Sequence, residues 1–189
     1  MSTDQSFLPL RGNYRQLIVY QKAECIFDIT YHFVHRFLEK GDRTIDQMMQ
    51  AARSGKQNIA EGSAASTTSR ETELKLVNVA KASLQELLID YEDYLRVRGL
   101  EQWKPSDSRY QQTRTIATKH NDSAYYREAI AVRSDETIAN IAITLIHQTD
   151  TMLFRLIEKL KEQFVQRGGI REEMTRARLN SRSSKGKGE

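Results

Sequence analysis

The sequence is poor in residues that break or cross-link regular structure. Only two prolines and nine glycines occur in 189 residues, which favours a few long helices over a many-turned β fold. The single cysteine, Cys25, excludes an internal disulfide and a cysteine-rich zinc site. Apolar neighbours at helical spacing indicate that Cys25 is a small buried side chain rather than a reactive thiol.

Long apolar runs are also missing. No stretch approaches the roughly 20 apolar residues that span a bilayer, and residues 1–11 lack the basic and apolar regions of a signal peptide. We therefore expect a cytoplasmic protein. An apolar fraction of 39% and a charged fraction of 29% are typical of a globular chain, and the length predicts one domain.

Patterns for catalysis and cofactor binding are absent. None of the four histidines follows a glutamate at the three-residue spacing of di-iron bundles. Gln57 stands after Gly55–Lys56, where a P-loop needs Ser or Thr. Asp28, His32 and His35 share a helix face, but no further ligand spacing accompanies this candidate metal set. The sequence thus predicts a non-enzymatic protein with no catalytic residue, no metal and no cofactor.

Apolar residues recur at three- and four-residue steps in four long segments. The predicted helices cover about residues 14–39, 44–62, 69–98 and 135–167. Each has one apolar face, so the economical arrangement is an all-α fold, an antiparallel up-down four-helix bundle. A Thr44–Gln47 capping box is expected to open the second helix, and Gly62 to end it.

The remaining segments define the expected domain organisation. We predict a polar leader over 1–13, the bundle over 14–169, an insert within it over 101–133, and a basic, disordered tail over 170–189. The tail has a net charge of +3, out of +4 for the chain. Such a tail either contacts anionic partners such as nucleic acid or only solubilises the protein.

The insert is polar, and it contains aromatic residues among arginines and lysines. Two short helices are expected in it, over about 113–119 and 123–132. Its aromatic side chains, which include Trp103, Tyr125 and Tyr126, have two interpretations. They form a surface on which nucleic-acid bases stack, or they attach the insert to the bundle.

The second helix contains the most informative stretch, Gln47–Ser63. Small residues make one of its faces thin, and Gly55 costs about 1 kcal/mol of helix propensity relative to Ala. We therefore expect another helix to approach closely at Gly55. Arg53 and Lys56 lie three residues apart, so they share a face of this helix.

Three stretches of the sequence resemble those of a known bacterial family. Val19–Tyr20–Gln21–Lys22–Ala23 resembles the opening of the four-helix-bundle proteins first noticed in rRNA intervening sequences. A run within Gln47–Ser63 resembles the end of that family's central helix, and Glu71 and Ala82–Leu87 match its third helix. The run consists of Asn58, Ile59, Ala60, Glu61 and Gly62. The resemblance covers about residues 15–100.

This resemblance implies a homopentameric ring with a basic surface. The family includes the accessory variability protein of diversity-generating retroelements, in which the ring binds nucleic acid and a reverse transcriptase. Met49–Gln50 stands where common members have two arginines. The insert and the basic extension resemble a longer branch of the family, described as carrying a suffix domain.

The sequence therefore predicts a ring-forming accessory protein that binds RNA or DNA, with a reverse transcriptase as an implied partner. The predicted phosphate contacts are sequence-independent. They come from the basic pair of the second helix and from the tail, and comprise Arg53, Lys56, Arg176, Arg178, Arg182, Lys185 and Lys187. The alternative is a protein–protein scaffold that uses the 101–133 insert and has no nucleic-acid role.

Overall fold

A computed structural model describes residues 13–167, 172, 174–176 and 178–179. Every regular element in this part of the chain is a helix, which confirms the predicted all-α class. A 3₁₀ turn, Tyr14–Gln16, precedes six α-helices. They are α1 (Ile18–Phe37), α2 (Arg43–Ala65), α3 (Arg70–Val97), α4 (Ser108–Lys119), α5 (Ser123–Ile130) and α6 (Asp135–Arg167).

The four long helices enclose one apolar core. α1 and α3 each pack against α2 and α6. At the centre, the Phe33 ring of α1 lies 5.0 Å from the Tyr91 ring and 4.7 Å from the Tyr94 ring of α3. Tyr91 is fully buried, and its hydroxyl donates a 3.0 Å hydrogen bond to Thr30 Oγ1.

Side-chain contacts define how these helices are paired. Between α2 and α3, Ser54 meets Ser83 and Gly62 meets Val77. Between α3 and α6, Lys81 Nζ lies 2.5 Å from Asp150 Oδ1, whereas the Tyr94 hydroxyl donates to Asp135 Oδ2 at 2.8 Å. In these two pairs, the contacting residue numbers rise along one helix as they fall along the other.

The start of α2 differs from the predicted capping box. Asp42 is the N-cap, and its Oδ1 accepts a 2.8 Å hydrogen bond from the Thr44 backbone N–H. Thr44 therefore lies inside the helix, because the shorter Asp42 side chain already satisfies its N–H. Gly41, with φ of +96°, forms the preceding turn.

The predicted end of α2 at Gly62 is wrong. The helix continues to Ala65, and Gly62 is buried against Val77 of α3. Gly62 is therefore an interior residue of the helix that packs on α3, and it does not terminate α2. Gly99 ends α3: with φ of +65° it allows the Leu100 N–H to reach the Leu95 carbonyl at 2.9 Å.

The apolar seam of α6 follows the core as far as Leu160. Ile138, Ile141, Leu145 and Leu160 are buried, and so are Leu153 and Ile157 beside them. Phe164, in the last turn of the helix, is 41% exposed. The apolar face of α6 therefore leaves the core only at its end.

The insert is ordered as two helices: α5 is close to the predicted 123–132, whereas α4 begins at Ser108, before the predicted start at 113. α5 packs on α1, and α4 packs on α6. Glu172, Met174–Arg176, Arg178 and Leu179 of the tail are helical. Residues 1–12, together with Arg182, Lys185 and Lys187, lie outside the described residues, so the disordered tail and the domain boundaries stay predictions. Within the described ranges, no helix has the length and apolar character needed to cross a membrane.

Candidate nucleic-acid interface

The candidate interface is built on the close contact between α2 and α3. A Cβ atom built on Gly55 would lie 2.7 Å from Leu84 Cδ2, closer than real Cβ contacts. Beside it, the Ser54 and Ser83 hydroxyl oxygens are 2.8 Å apart and hydrogen-bonded. The predicted close approach at Gly55 is confirmed, and it fixes which face of α2 points away from the core.

Arg53 and Lys56 lie on one turn of α2. The Arg53 side chain is exposed, and its guanidinium forms no ion pair with any residue in the described part of the chain. Lys56 is half-buried, with Nζ 4.2 Å from the centre of the Phe27 ring. This cation–π contact orients the ammonium without neutralising its charge.

The family-like run after Lys56 has a structural role. Asn58 Nδ2 donates to the Ser54 carbonyl at 2.9 Å and to Ser54 Oγ at 3.1 Å. Ile59 is buried in the core and Gly62 contacts α3. Glu61 is exposed and Ala60 is half-buried. The motif therefore shapes the helix that presents Arg53 and Lys56, with one acidic side chain available to solvent.

The other predicted contact residues are placed only in part. Gln50 is exposed and Met49 is packed against the core, so neither replaces the missing arginine pair. Arg176 and Arg178 are exposed on helical residues after α6. Arg53 and Lys56 are thus the predicted contacts that the structure brings together in one described turn.

Sequence reasoning missed the role of Lys22, a charged residue of α1 within the Val19–Ala23 motif. The residue is 1% exposed, and Nζ donates a hydrogen bond to the Ala117 carbonyl in the last turn of α4. That carbonyl has no partner within a helix that ends at Lys119, and a cation suits the negative end of the helix dipole. Burial lowers the pKa of Lys22. Its place in the Val19–Ala23 motif was the available signal.

Further polar contacts hold the insert on the bundle. Arg36 donates to the Ala131 carbonyl after α5, and Arg127 Nη1 pairs with Asp28 Oδ2 at 3.0 Å. On the other side, the buried Asn140 side chain of α6 accepts a 2.7 Å hydrogen bond from the backbone N–H of Trp103 and donates one of 2.8 Å to the Glu101 carbonyl. The insert is therefore a packed part of the domain.

The insert aromatics contribute to this packing. Trp103 and Tyr126 are buried, and the Tyr125 ring stacks on His120 with centroids 3.8 Å apart. The burial of Trp103 and Tyr126 supports the interpretation that insert aromatics attach the insert to the bundle. A pocket of about 200 Å³ lies beside these aromatic side chains, between α4, α5 and α6.

The candidate metal set and the cysteine have other surroundings. Asp28 is engaged by Arg127, and His35 Nδ1 lies 2.7 Å from the Tyr31 carbonyl oxygen. In the described ranges, no three or more His, Cys, Asp or Glu side chains are grouped so that they could hold a metal ion. Burial raises the pKa of Cys25 to about 12, which disfavours a reactive thiolate.

Comparison of this chain with models of protein families, with curated proteins and with solved structures found no match. The likeness to the rRNA intervening-sequence family therefore rests on the three sequence stretches named above.

Proposed function

We propose that the four long helices form an antiparallel up-down bundle and that the chain is a member of the intervening-sequence protein family. The opposite registers of α2 with α3 and of α3 with α6 support the bundle. The buried Lys22 and the close α2–α3 contact at Gly55 and Gly62 support the family, because they give two of the three stretches structural reasons to exist.

On this scaffold we propose a non-enzymatic accessory protein that binds RNA or DNA through phosphate contacts. The observation that carries the proposal is the Arg53–Lys56 pair. These two cations share one turn of the motif-bearing helix, and Arg53 has no carboxylate partner in the described residues. Unpaired exposed cations release counterions from nucleic acid on binding, which supplies sequence-independent affinity. The basic tail adds to this surface.

The same proposal includes assembly into a ring in the cytoplasm. By analogy with the family, the ring has five subunits and its protein partner is a reverse transcriptase. Large apolar side chains remain exposed on the bundle, notably Val79, Ile89 and Val97 of α3 and Phe154 of α6. These are the kind of residues that subunit interfaces cover. Because α5 covers part of α1 and α4 covers part of α6, the contact between subunits would use other surfaces of the bundle.

The direct test is binding of labelled single-stranded RNA and DNA by fluorescence anisotropy over a range of salt concentrations. We expect the logarithm of affinity to fall linearly with the logarithm of salt concentration. Arg53→Glu combined with Lys56→Glu should lower affinity by about tenfold or more and flatten the salt dependence. Removal of residues 171–189 should weaken binding separately.

A matched control reverses two other exposed cations. Lys75→Glu with Arg96→Glu changes the net charge by the same amount, but both residues lie on α3 and pair with carboxylates of their own helix. This variant should retain most of the affinity. Equal loss in both double variants would mean that only net charge matters. Salt-independent binding, or no effect of the α2 variant, would refute the proposed contact.

A protein–protein scaffold is the second candidate function. The observation in its favour is that the insert, although docked, exposes apolar side chains: Val132 is 89% exposed and Ile116 is 39% exposed. A scaffold would purify free of nucleic acid and would bind a defined protein. That binding would be lost in Val132→Asp, while the Arg53–Lys56 double variant would bind normally.

A further inference from the structure

The pocket between α4, α5 and α6 has the composition of a binding site. Its walls are largely aromatic and aliphatic, with polar side chains among them. The lining residues are Trp103, Arg109, Gln112, Thr113, Ile116, Tyr125, Tyr126, Ala129, Arg133, Thr137 and Ile141. At about 200 Å³ it is smaller than the roughly 300–1,000 Å³ of sites for drug-sized ligands. A group the size of one ring system fits this space better than an extended molecule.

The charges around the pocket have one sign. Arg109 and Arg133 line it, and no acidic side chain is among its described lining residues. Arg109 is compensated, because its Nη2 lies 2.6 Å from Asp107 Oδ2 and 2.8 Å from Glu101 Oε2. Among the described residues, the Arg133 guanidinium makes one hydrogen bond, which Nε donates to the Ala129 carbonyl at 2.7 Å. Its guanidinium therefore carries the uncompensated positive charge of the pocket.

One wall residue also has an unused donor. Trp103 is 8% exposed, and its indole Nε1 is buried without a hydrogen-bond partner in the described part of the chain. Buried polar groups are nearly always paired, so this donor is an exception within the pocket wall. Arg109 lies over the Trp103 ring at 5.2 Å and holds one side of the indole in place.

We propose that this pocket binds a nucleobase together with its adjoining phosphate. The flat base would lie against the aromatic wall, where stacking tolerates any base, and Arg133 would pair with the phosphate. Two sources supply this chemistry: a free mononucleotide, or one unpaired base of a single strand. The strand form rests on the proposed nucleic-acid function, whereas the free-nucleotide form does not.

Trp103 is the only tryptophan in the chain, so its fluorescence reports on the pocket directly. The full-length protein, cleared of nucleic acid, is titrated separately with AMP, with adenosine and with a single-stranded oligonucleotide. Saturable quenching by AMP or by the oligonucleotide is expected, with adenosine weaker. If neither quenches, or if adenosine and AMP bind equally, the proposal fails.

Three variants locate the binding. Arg133→Gln should weaken the binding of AMP by about tenfold but leave the binding of adenosine unchanged. Arg114→Gln is the matched control, since this exposed arginine of α4 does not line the pocket, and it should bind like the wild type. Ala129→Phe should fill the pocket and abolish quenching. Its far-UV circular dichroism melt verifies folding, and binding that persists in folded Ala129→Phe overturns the proposal.

The outcomes separate this inference from the proposed function. If AMP quenches Trp103 through the pocket while no oligonucleotide binds, the pocket stands and the nucleic-acid function fails. Oligonucleotide binding that is sensitive to Arg53 and Lys56 but unchanged in Ala129→Phe supports the function and refutes the pocket. Quenching by the oligonucleotide that is lost in Ala129→Phe supports the strand as the source.

Discussion

Two glycines of α2 have similar positions but different surroundings. Alanine at either site would gain about 1 kcal/mol of helix propensity. At Gly55 the new Cβ would lie 2.7 Å from Leu84 Cδ2 and 2.8 Å from Leu84 Cγ, whereas at Gly62 the nearest atom is Val77 Cγ2 at an ordinary 3.4 Å. Leu84 is fully buried, so it cannot move aside without disturbing the core.

We therefore expect opposite effects of the same substitution. Gly55→Ala should lower the free energy of unfolding by about 1 kcal/mol, because overpacking of about 1–3 kcal/mol exceeds the propensity gain. Gly62→Ala should leave that free energy unchanged or raise it by up to about 1 kcal/mol. Urea unfolding of both variants provides the measurement. A stabilised Gly55→Ala would contradict the close contact with α3.

The Cys25 thiol makes stability depend on pH in the alkaline range. Burial raises its pKa from 9.0 to about 12 in the folded protein, so the folded state retains a proton that the unfolded chain loses. This contribution to stability is complete below pH 9 and is lost as the pH rises towards 12. Between pH 8 and pH 10 the loss should be about 1 kcal/mol.

Cys25→Ala isolates this effect, because the other titrating groups remain. Under reducing conditions, urea unfolding of the wild type should show a loss of stability between pH 8 and pH 10 that exceeds the loss in Cys25→Ala by about 1 kcal/mol. Parallel stability curves for the two proteins would show that the thiol is not held in its neutral form.

At the scale of elements, the insert depends on buried polar contacts more than on its surface ion pair. Asn140 is 1% exposed. Its side chain forms hydrogen bonds with the backbone N–H of Trp103 and with the Glu101 carbonyl, where the insert begins. The Arg127–Asp28 pair is more accessible, with Arg127 61% exposed. Exposed pairs contribute at most about 1 kcal/mol.

Asn140→Ala should therefore lower the free energy of unfolding by about 2 kcal/mol, because a buried N–H and a carbonyl lose their partner. Arg127→Gln should lower it by less than about 1 kcal/mol. Trp103 emission, followed during urea unfolding, measures both. In native Asn140→Ala it should shift to longer wavelength as water reaches the indole. Equal effects of the two substitutions would contradict this account of docking.

The helices themselves were predictable where local chemistry decides them. The end of α3 at Gly99 and the acidic start of α6 follow from backbone freedom and charge within a few residues. Gly62 and Lys22 were misread because their roles depend on a distant partner. Gly62 packs on α3, and Lys22 needs α4, which follows it by almost 90 residues.

At the scale of the whole molecule, the candidate interface was predictable only in part. The spacing of Arg53 and Lys56 placed them on one face, and the structure retains that arrangement. The cation–π contact of Lys56 with Phe27 could not be read from spacing, since it requires the packing of α1 on α2. The aromatic pocket could not be read from spacing either, because its walls come from three different helices, α4, α5 and α6, and no single motif contains them.

The most direct test of the central claim is size-exclusion chromatography with light scattering, run on protein cleared of nucleic acid and again after mixing with single-stranded RNA. A ring predicts a mass of about five times the 21.9 kDa chain and co-elution with RNA at low salt that is lost at high salt. A particle of 21.9 kDa that elutes apart from RNA at every salt concentration would contradict the account.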